Sequence, residues 1–205
     1  MGSVGYNDIR EFIEEAKKIS DFRQVDGADW NNEIGTLIEA TTELVPQPPM
    51  LMFDNIKGYP PGYRILSLPL AAYKRVALAM GLPTDRSKLE ILRLATRKFK
   101  TAKPVPPKEV ATSPLMENVM KGDEIDLFKF PALHYHEHDG GRYLGTGDCL
   151  INADLEGNFI NMGTYRMQLH DKNLLGLWMS PGQHGRLICM KYWEQGKACP
   201  VVAAF

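Results

Sequence analysis

Cysteine is scarce in this chain. Cys149, Cys189 and Cys199 are the only three in 205 residues, and no Cys-x-x-Cys spacing occurs. An odd, unclustered set argues for a reducing cytoplasm over a disulfide framework. Cys149 and Cys199 fall in strand-like apolar runs, where a buried, inert thiol is expected. An excess of one charge is also missing. The formal net charge is −1, which removes any push toward nucleic acid or a membrane surface. No apolar run approaches a membrane span. The N-terminus moves into a charged amphipathic pattern rather than a signal peptide. Met-Gly-Ser-Val-Gly-Tyr lacks the Ser or Thr that a myristoylation signal carries at its sixth position. There is no GxSxG elbow, no Walker A motif and no GxGxxG after a strand. The run from Gly140 to Gly145 is glycine-rich with the wrong spacing. What remains is ordinary for a globular protein: 44% hydrophobic and 24% charged residues, enough for a sizeable core in one or two domains.

The first half alternates helix and strand signals. Ile9, Phe12, Ile13, Ala16 and Ile19 keep helical spacing, with Asn7 as the expected N-cap. Trp30, Ile34, Leu37, Ile38 and Thr41 repeat the pattern up to Leu44, and prolines from Pro46 to Pro49 break it. Met50–Phe53 and Tyr63–Ser67 read as short strands around a Gly-Tyr-Pro-Pro-Gly turn. Pro69–Met80 reads as a helix closed by Gly81. Asp85 opens another, with Leu89, Leu92, Ala95 and Phe99 on one face. Arg86, Arg93, Arg97 and Lys100 line its other side. That stripe suits an anionic partner such as RNA, but no basic loop or aromatic platform joins it, and a solvated helix face is the expectation.

Lys103-Pro104-Val105-Pro106-Pro107 cannot continue a helix and reads as a linker. Beyond it, Leu144–Asn152, Phe159–Leu169 and Leu174–Met179 read as strands. Glycines at 140, 141, 145, 147, 157 and 163 punctuate them, which suits a small β-barrel or half-barrel better than a parallel sheet. Ser180 reads as the N-cap of a helix with Pro181 in its first turn, running to Glu194 or Gln195 before Gly196. The apolar ending, Pro200 to Phe205, resembles a strand awaiting burial and leads to the expectation of a fragment or one piece of a larger assembly.

Several side chains in this half could carry chemistry. Gln183 and His184 fall in the first turn of the Ser180 helix, where unpaired N–H groups favour a phosphate. A neutral imidazole there can ligate a divalent metal. Asn161 could add an oxygen ligand of the kind hard cations accept. Arg166 could pair with a carboxylate. Taken singly, a His at a helix start is a cap or core residue, and an Arg on a strand is solvated or salt-bridged. His134, His136 and His138 would share one strand face about 6–7 Å apart, too far for three to share one zinc, so a polar strand edge or pocket rim is expected.

The stretches DGGRYLGTG, NMGTYRMQLHDKN and SPGQHG, in this order and with these gaps, resemble the UbiD family of (de)carboxylases, which use prenylated flavin mononucleotide. The likeness extends more loosely over the whole chain. It implies an α+β architecture: a mixed α/β N-terminal domain over residues 1–108, then the beginning of a flavin-reductase-like split β-barrel over 109–205. It implies Asn161 and His184 as ligands of a divalent metal, manganese foremost, beside the cofactor phosphate, with potassium as a further ion. It implies that Thr164, Tyr165 and Arg166 line the prenylated FMN, that Gln183 contacts it, and that Arg166 is the arginine of a Glu-Arg-Glu catalytic network. Gly163 stands where some members have Ser. The third metal ligand, both glutamates of the network and the C-terminal domain lie further along in the family than Phe205. The resemblance thus implies a decarboxylase portion, inactive alone, for aromatic or α,β-unsaturated carboxylic acids, and a homo-oligomer in the full-length form.

One geometric tension stands. On a regular strand Asn161 and Arg166 point to opposite faces, and both reach one pocket only through a bulge or twist, which Gly163 permits. The alternative reading is a non-catalytic flavin- or nucleotide-binding module, or a subunit of a larger complex.

Overall fold

The computed structural model describes residues 4–19, 22–103, 105–106, 108–145 and 147–205. Pro104 and Pro107 of the expected linker and Thr146 of the first motif lie outside these. The chain divides into two compact units, Met1–Asp29 with Thr36–Lys121, and Trp30–Gly35 with Gly122–Phe205.

In the first unit, helix α1 (Ile9–Ile19) buries Phe12 and Ala16 as its spacing predicts. Its cap is Asp8 rather than Asn7: Asp8 Oδ1 accepts from the amides of Arg10 and Glu11 at 2.8 and 3.0 Å. Those bonds, Glu11's foremost, hold the exposed Asp8 carboxyl below its usual range. Strand β1 (Phe22–Asp26) pairs in parallel with β2 (Met50–Asp54), and α2 (Glu33–Leu44) lies between them in sequence. Strand β3 (Ile65–Ser67) adds antiparallel to β2. Met50 joins Phe12 and Ala16 in a core closed by Tyr6, Ile13, Phe22 and Leu66.

The Pro69–Met80 helix is shorter than its spacing suggests. Helix α3 spans Tyr73–Ala79, because a turn over residues 69–72 precedes it. Its Arg75 is 1% exposed. The guanidinium donates to the carbonyls of Pro69, Pro48 and Leu68 at 3.0, 2.7 and 3.0 Å. Charge-assisted bonds of this kind let a buried cation hold a loop together. Helix α4 (Lys88–Thr101) starts after Ser87, not Asp85, with a full Ser87–Glu90 capping box. Ile91 is its buried residue, while Leu89, Leu92 and Phe99 stay exposed at 56%, 62% and 73%. Arg86, Arg93, Arg97 and Lys100 lie along the same segment, outside the buried core.

The second unit carries two three-stranded antiparallel sheets, and no closed barrel forms among the described residues. One has the order β4 (Arg142–Leu144), β7 (Met167–Asp171), β8 (Leu174–Leu177). The other has the order β6 (Ile160–Gly163), β5 (Cys149–Ala153), β9 (Val202–Ala204). The Phe159–Leu169 run is therefore not one strand. It leaves the β6-β5-β9 sheet after Gly163 and enters the β4-β7-β8 sheet at Met167, so residues 164–166 cross between sheets. The crossing replaces the bulge expected at Gly163. Leu150, Tyr165, Met179 and Cys189 form a core beneath one sheet, and Ala132, Leu144, Met167 and Leu169 beneath the other. Register lines up Met162, Ile151 and Val202 across the β6-β5-β9 face, with Met162 and Val202 exposed at 68% and 62%. Arg142 lies 4.0 Å over the Trp30 ring and donates to Ala132 O, tying residues 30–35 to the rest of this unit.

The histidine run and the last helix depart from their expected forms. His134 makes an isolated bridge with Asn31, and residues 136–138 turn. Both His134 ring nitrogens are engaged, Nδ1 with Asn31 Oδ1 at 2.9 Å and Nε2 with the Asp139 carbonyl at 3.1 Å. The three imidazoles therefore share no strand face. Helix α5 spans His184–Trp193 and its N-cap is Gln183. Pro181 and Gly182 form a turn instead, with Gly182 at φ +84°. The buried thiol is Cys189, while Cys149 and Cys199 are half-buried and Cys199 precedes β9 rather than lying in it. No helix among the described residues is long and apolar enough to cross a membrane.

Candidate functional site

The site begins where β6 meets the start of α5. Alternation along β6 leaves Ile160 and Met162 exposed and turns Asn161 inward, at 7% exposure. Tyr165 follows in the crossing segment and is buried as well. Its hydroxyl oxygen accepts from the Gly185 amide at 3.2 Å and from Asn161 Nδ2 at 3.4 Å. Asn161 Nδ2 also donates to Asn152 Oδ1 at 3.1 Å. Asn161 Oδ1 has no hydrogen-bond partner among the described residues.

Two glycines make room for this arrangement. A Cβ on Gly185 would stand 2.7 Å from Tyr165 Oη and 3.2 Å from Asn161 Nδ2. A Cβ on Gly163 would stand 2.6 Å from the Tyr165 ring. The ring thus occupies the space a side chain at 163 would need, so a serine there is incompatible with Tyr165 in this position.

His184 is the first residue of α5, exposed, and packs edge-on to Phe159 at 5.4 Å between ring centroids. No described residue hydrogen-bonds its ring nitrogens. It borders a cleft of about 480 Å³ shared with Asp154, Phe159, Leu187 and Lys191. Gln183 bends back, its Oε1 accepting from the Ser180 amide at 2.9 Å. The helix end is less open to an anion than a free N-terminus, because the Gly185 N–H is already taken by Tyr165.

Arg166 lies apart from His184. It borders a second cleft, of about 550 Å³, with Tyr143, Gln168, Gly176, Leu177 and Trp178. Its guanidinium sits 5.6 Å from the Tyr143 ring and forms no ion pair among the described residues. Thr164 is exposed in the crossing segment. The structure therefore gathers Asn161, Tyr165 and the Gly185 amide beside His184, and sets Arg166 on another cleft.

Two buried groups near this site gave no sequence signal. Asn152 is 3% exposed and joins Asn161 to α5. Asp148 is 2% exposed, and neither carboxylate oxygen has a hydrogen-bond partner among the described residues. Burial raises its pKa, and the nearby backbone amides of Asp148 and Tyr165, although outside hydrogen-bonding geometry, offset part of that rise. The neutral form is thereby favoured in the fold. Its contribution to stability is complete below the unfolded value of 3.8 and is lost as pH rises through the raised folded value. Asp148→Asn is expected to raise the melting temperature near neutral pH and to change it little in acid. A variant that melts lower than the parent near neutrality would show that the charged form is held by contacts beyond those described.

Both halves of the chain match models of one family. Residues 13–95 match the 3-octaprenyl-4-hydroxybenzoate carboxy-lyase N-terminal domain, and residues 108–205 its Rift-related domain. The pyrrole-2-carboxylic acid decarboxylase of Pseudomonas aeruginosa is 32% identical over 94% of this chain, which spans 40% of that enzyme's length. Among solved structures, the vanillic acid decarboxylase of Sedimentibacter hydroxybenzoicus in its closed form superposes with a TM-score of 0.89 at 27% identity, over 98% of this chain and 43% of that one. The UbiD-class enzyme HmfF from Pelotomaculum thermopropionicum, in complex with FMN, superposes with a TM-score of 0.77 at 25% identity, over 95% of this chain and 41% of that one.

Proposed function

The chain belongs to the UbiD carboxy-lyase family, and from that premise we propose that it is the metal- and flavin-holding portion of a non-oxidative decarboxylase for aromatic or α,β-unsaturated carboxylic acids. The chain spans about 40% of the length of the curated pyrrole-2-carboxylic acid decarboxylase that it matches. The observation that supports it most is the free Asn161 Oδ1 beside the first turn of α5, where His184 has both ring nitrogens unengaged among the described residues. One amide oxygen and one imidazole suit a divalent cation such as manganese. Such a cation would offset the charge of a flavin phosphate at this helix end.

Prenylated FMN, when bound, supplies the electronic chemistry that makes loss of carbon dioxide accessible. The chain's own residues bind and orient. Tyr165 closes the inner wall and keeps water from the Asn161 amide. Arg166 offers a planar guanidinium, without an ion pair among the described residues, on the other cleft, suited to a carboxylate. Thr164, next to Tyr165 in the chain, and Gln183, next to His184, are the further candidate cofactor contacts. The exposed apolar face of β6-β5-β9 supports reading the two small sheets as walls of a split barrel, since a barrel wall turns such a face inward. The domain division at about residue 108 and a homo-oligomeric assembly belong to the same proposal.

The test is carbon dioxide release from cinnamate-like and hydroxybenzoate-like acids, using protein made in cells that synthesise prenylated FMN. Of the acid–base network that the family resemblance implies, Arg166 is the member matched in these residues, so by themselves they are expected to retain flavin without turnover. Turnover by these residues alone would sink the acid–base assignment. Protein that takes up no flavin would sink the whole reading.

A further inference from the structure

We infer that Asn152 sets the orientation of the Asn161 amide and thereby presents Asn161 Oδ1, rather than its nitrogen, to a divalent cation. The inference rests on reading Asn161 and His184 as metal ligands. An asparagine amide is nearly symmetric in shape, and half a turn about its last torsion exchanges oxygen and nitrogen. Only the oxygen has a lone pair to give a metal, so its direction decides whether the residue is a ligand at all.

The direction is dictated from α5. The Gly185 carbonyl oxygen can only accept a hydrogen bond, and it lies 3.1 Å from Asn152 Nδ2 in a buried position. The same nitrogen faces the sulfurs of Cys189 and Cys199 at 3.7 and 3.9 Å, both weak acceptors. Turning the Asn152 amide over would place its oxygen against a carbonyl oxygen in a buried position. Asn152 Oδ1 is therefore held toward Asn161, which must answer with Nδ2, at 3.1 Å. The Tyr165 hydroxyl accepts from the same Nδ2 at 3.4 Å, but it could also donate to an oxygen there, so the direction is set by Asn152. With the nitrogen engaged on both sides, Oδ1 is the atom left over. Leu150, Tyr165, Met179 and Cys189 form the buried cluster around this relay. Asn152 does not touch the cation and acts through Asn161, as a positioning residue.

The experiment is a titration of the full chain with Mn²⁺ alone, following the free-ion signal by electron paramagnetic resonance. Asn152→Leu is expected to weaken Mn²⁺ binding on the order of 10-fold or more. Asn152→Ala, which leaves space rather than crowding it, is expected to do the same. A carboxylate at position 161 has two equivalent oxygens and needs no orientation. In an Asn161→Asp background, Asn152→Leu is therefore expected to cost no affinity. Equal loss in both backgrounds would overturn the inference, because it would mean that Asn152 merely holds up the fold. An unchanged affinity in Asn152→Leu, with Asn161→Ala weakened, would overturn it while sparing the metal site. No effect of Asn161→Ala would instead remove the metal-site reading on which the inference stands.

Discussion

Replacing Arg166 by Lys is expected to lower turnover of the catalytically complete protein on the order of 100-fold while leaving flavin bound. The charge is kept, so a purely Coulombic role would survive the change. A guanidinium presents a planar fork of donors that holds a carboxylate in one orientation, and an ammonium holds it as a point charge. Flavin retention should persist, because His184, at the start of α5, borders another cleft from Arg166. Stability should also persist, since Arg166 is exposed and makes no ion pair among the described residues. The measurement compares turnover, flavin content and melting temperature in one preparation. Near-normal turnover, or a loss explained wholly by unfolding, would take Arg166 off the catalytic list.

Gly185→Ala is expected to damage both stability and metal binding. Alanine is the better helix former, by about 1 kcal/mol at an interior position and less near a helix start. Against that gain, the new methyl would meet Tyr165 Oη at 2.7 Å and Asn161 Nδ2 at 3.2 Å. Tyr165 has little room to retreat, because its ring already fills the space beside Gly163. Overpacking of this kind costs about 1–3 kcal/mol, which outweighs the helical gain. Displacing Tyr165 also breaks its bond from the Gly185 amide and disturbs the Asn161 side chain, so Mn²⁺ affinity should fall roughly 10-fold. Thermal melting together with Mn²⁺ titration reads both effects. A variant unchanged in both would mean that the helix start moves freely, and that Tyr165 does not brace the site.

Strong periodicity makes some elements legible in the amino-acid sequence itself. Phe12 and Ala16 on α1, Ile34 on α2 and the buried strand Met50–Asp54 announce themselves by apolar spacing. Strand β1 does not, because its residues Phe-Arg-Gln-Val-Asp are mostly exposed and it is held by backbone pairing with β2. Ser-Pro has the composition of a helix opening, which places the start of α5 too early. Gly182, in a left-handed conformation, delays the helix to His184. The crossing at residues 164–166 leaves no sequence signal, because its residues look strand-like and only tertiary pairing sends the two ends to different sheets. Motif resemblance names the candidate site residues, yet it says nothing of Asn152, Asp148 or the buried Arg75. Their roles depend on what folds against them rather than on neighbours in sequence. The separation of Arg166 from His184 onto two clefts is of the same kind.

In the proposed function Asn161 and His184 hold a divalent metal beside a flavin phosphate. The most direct measurement is electron paramagnetic resonance of Mn²⁺ added to the protein with and without bound flavin, in the parent, Asn161→Ala and His184→Ala. The parent is expected to bind Mn²⁺ more tightly when flavin is present, and either substitution to weaken metal and flavin retention together, on the order of 10–100-fold. Metal affinity and flavin content unchanged in both variants would contradict it.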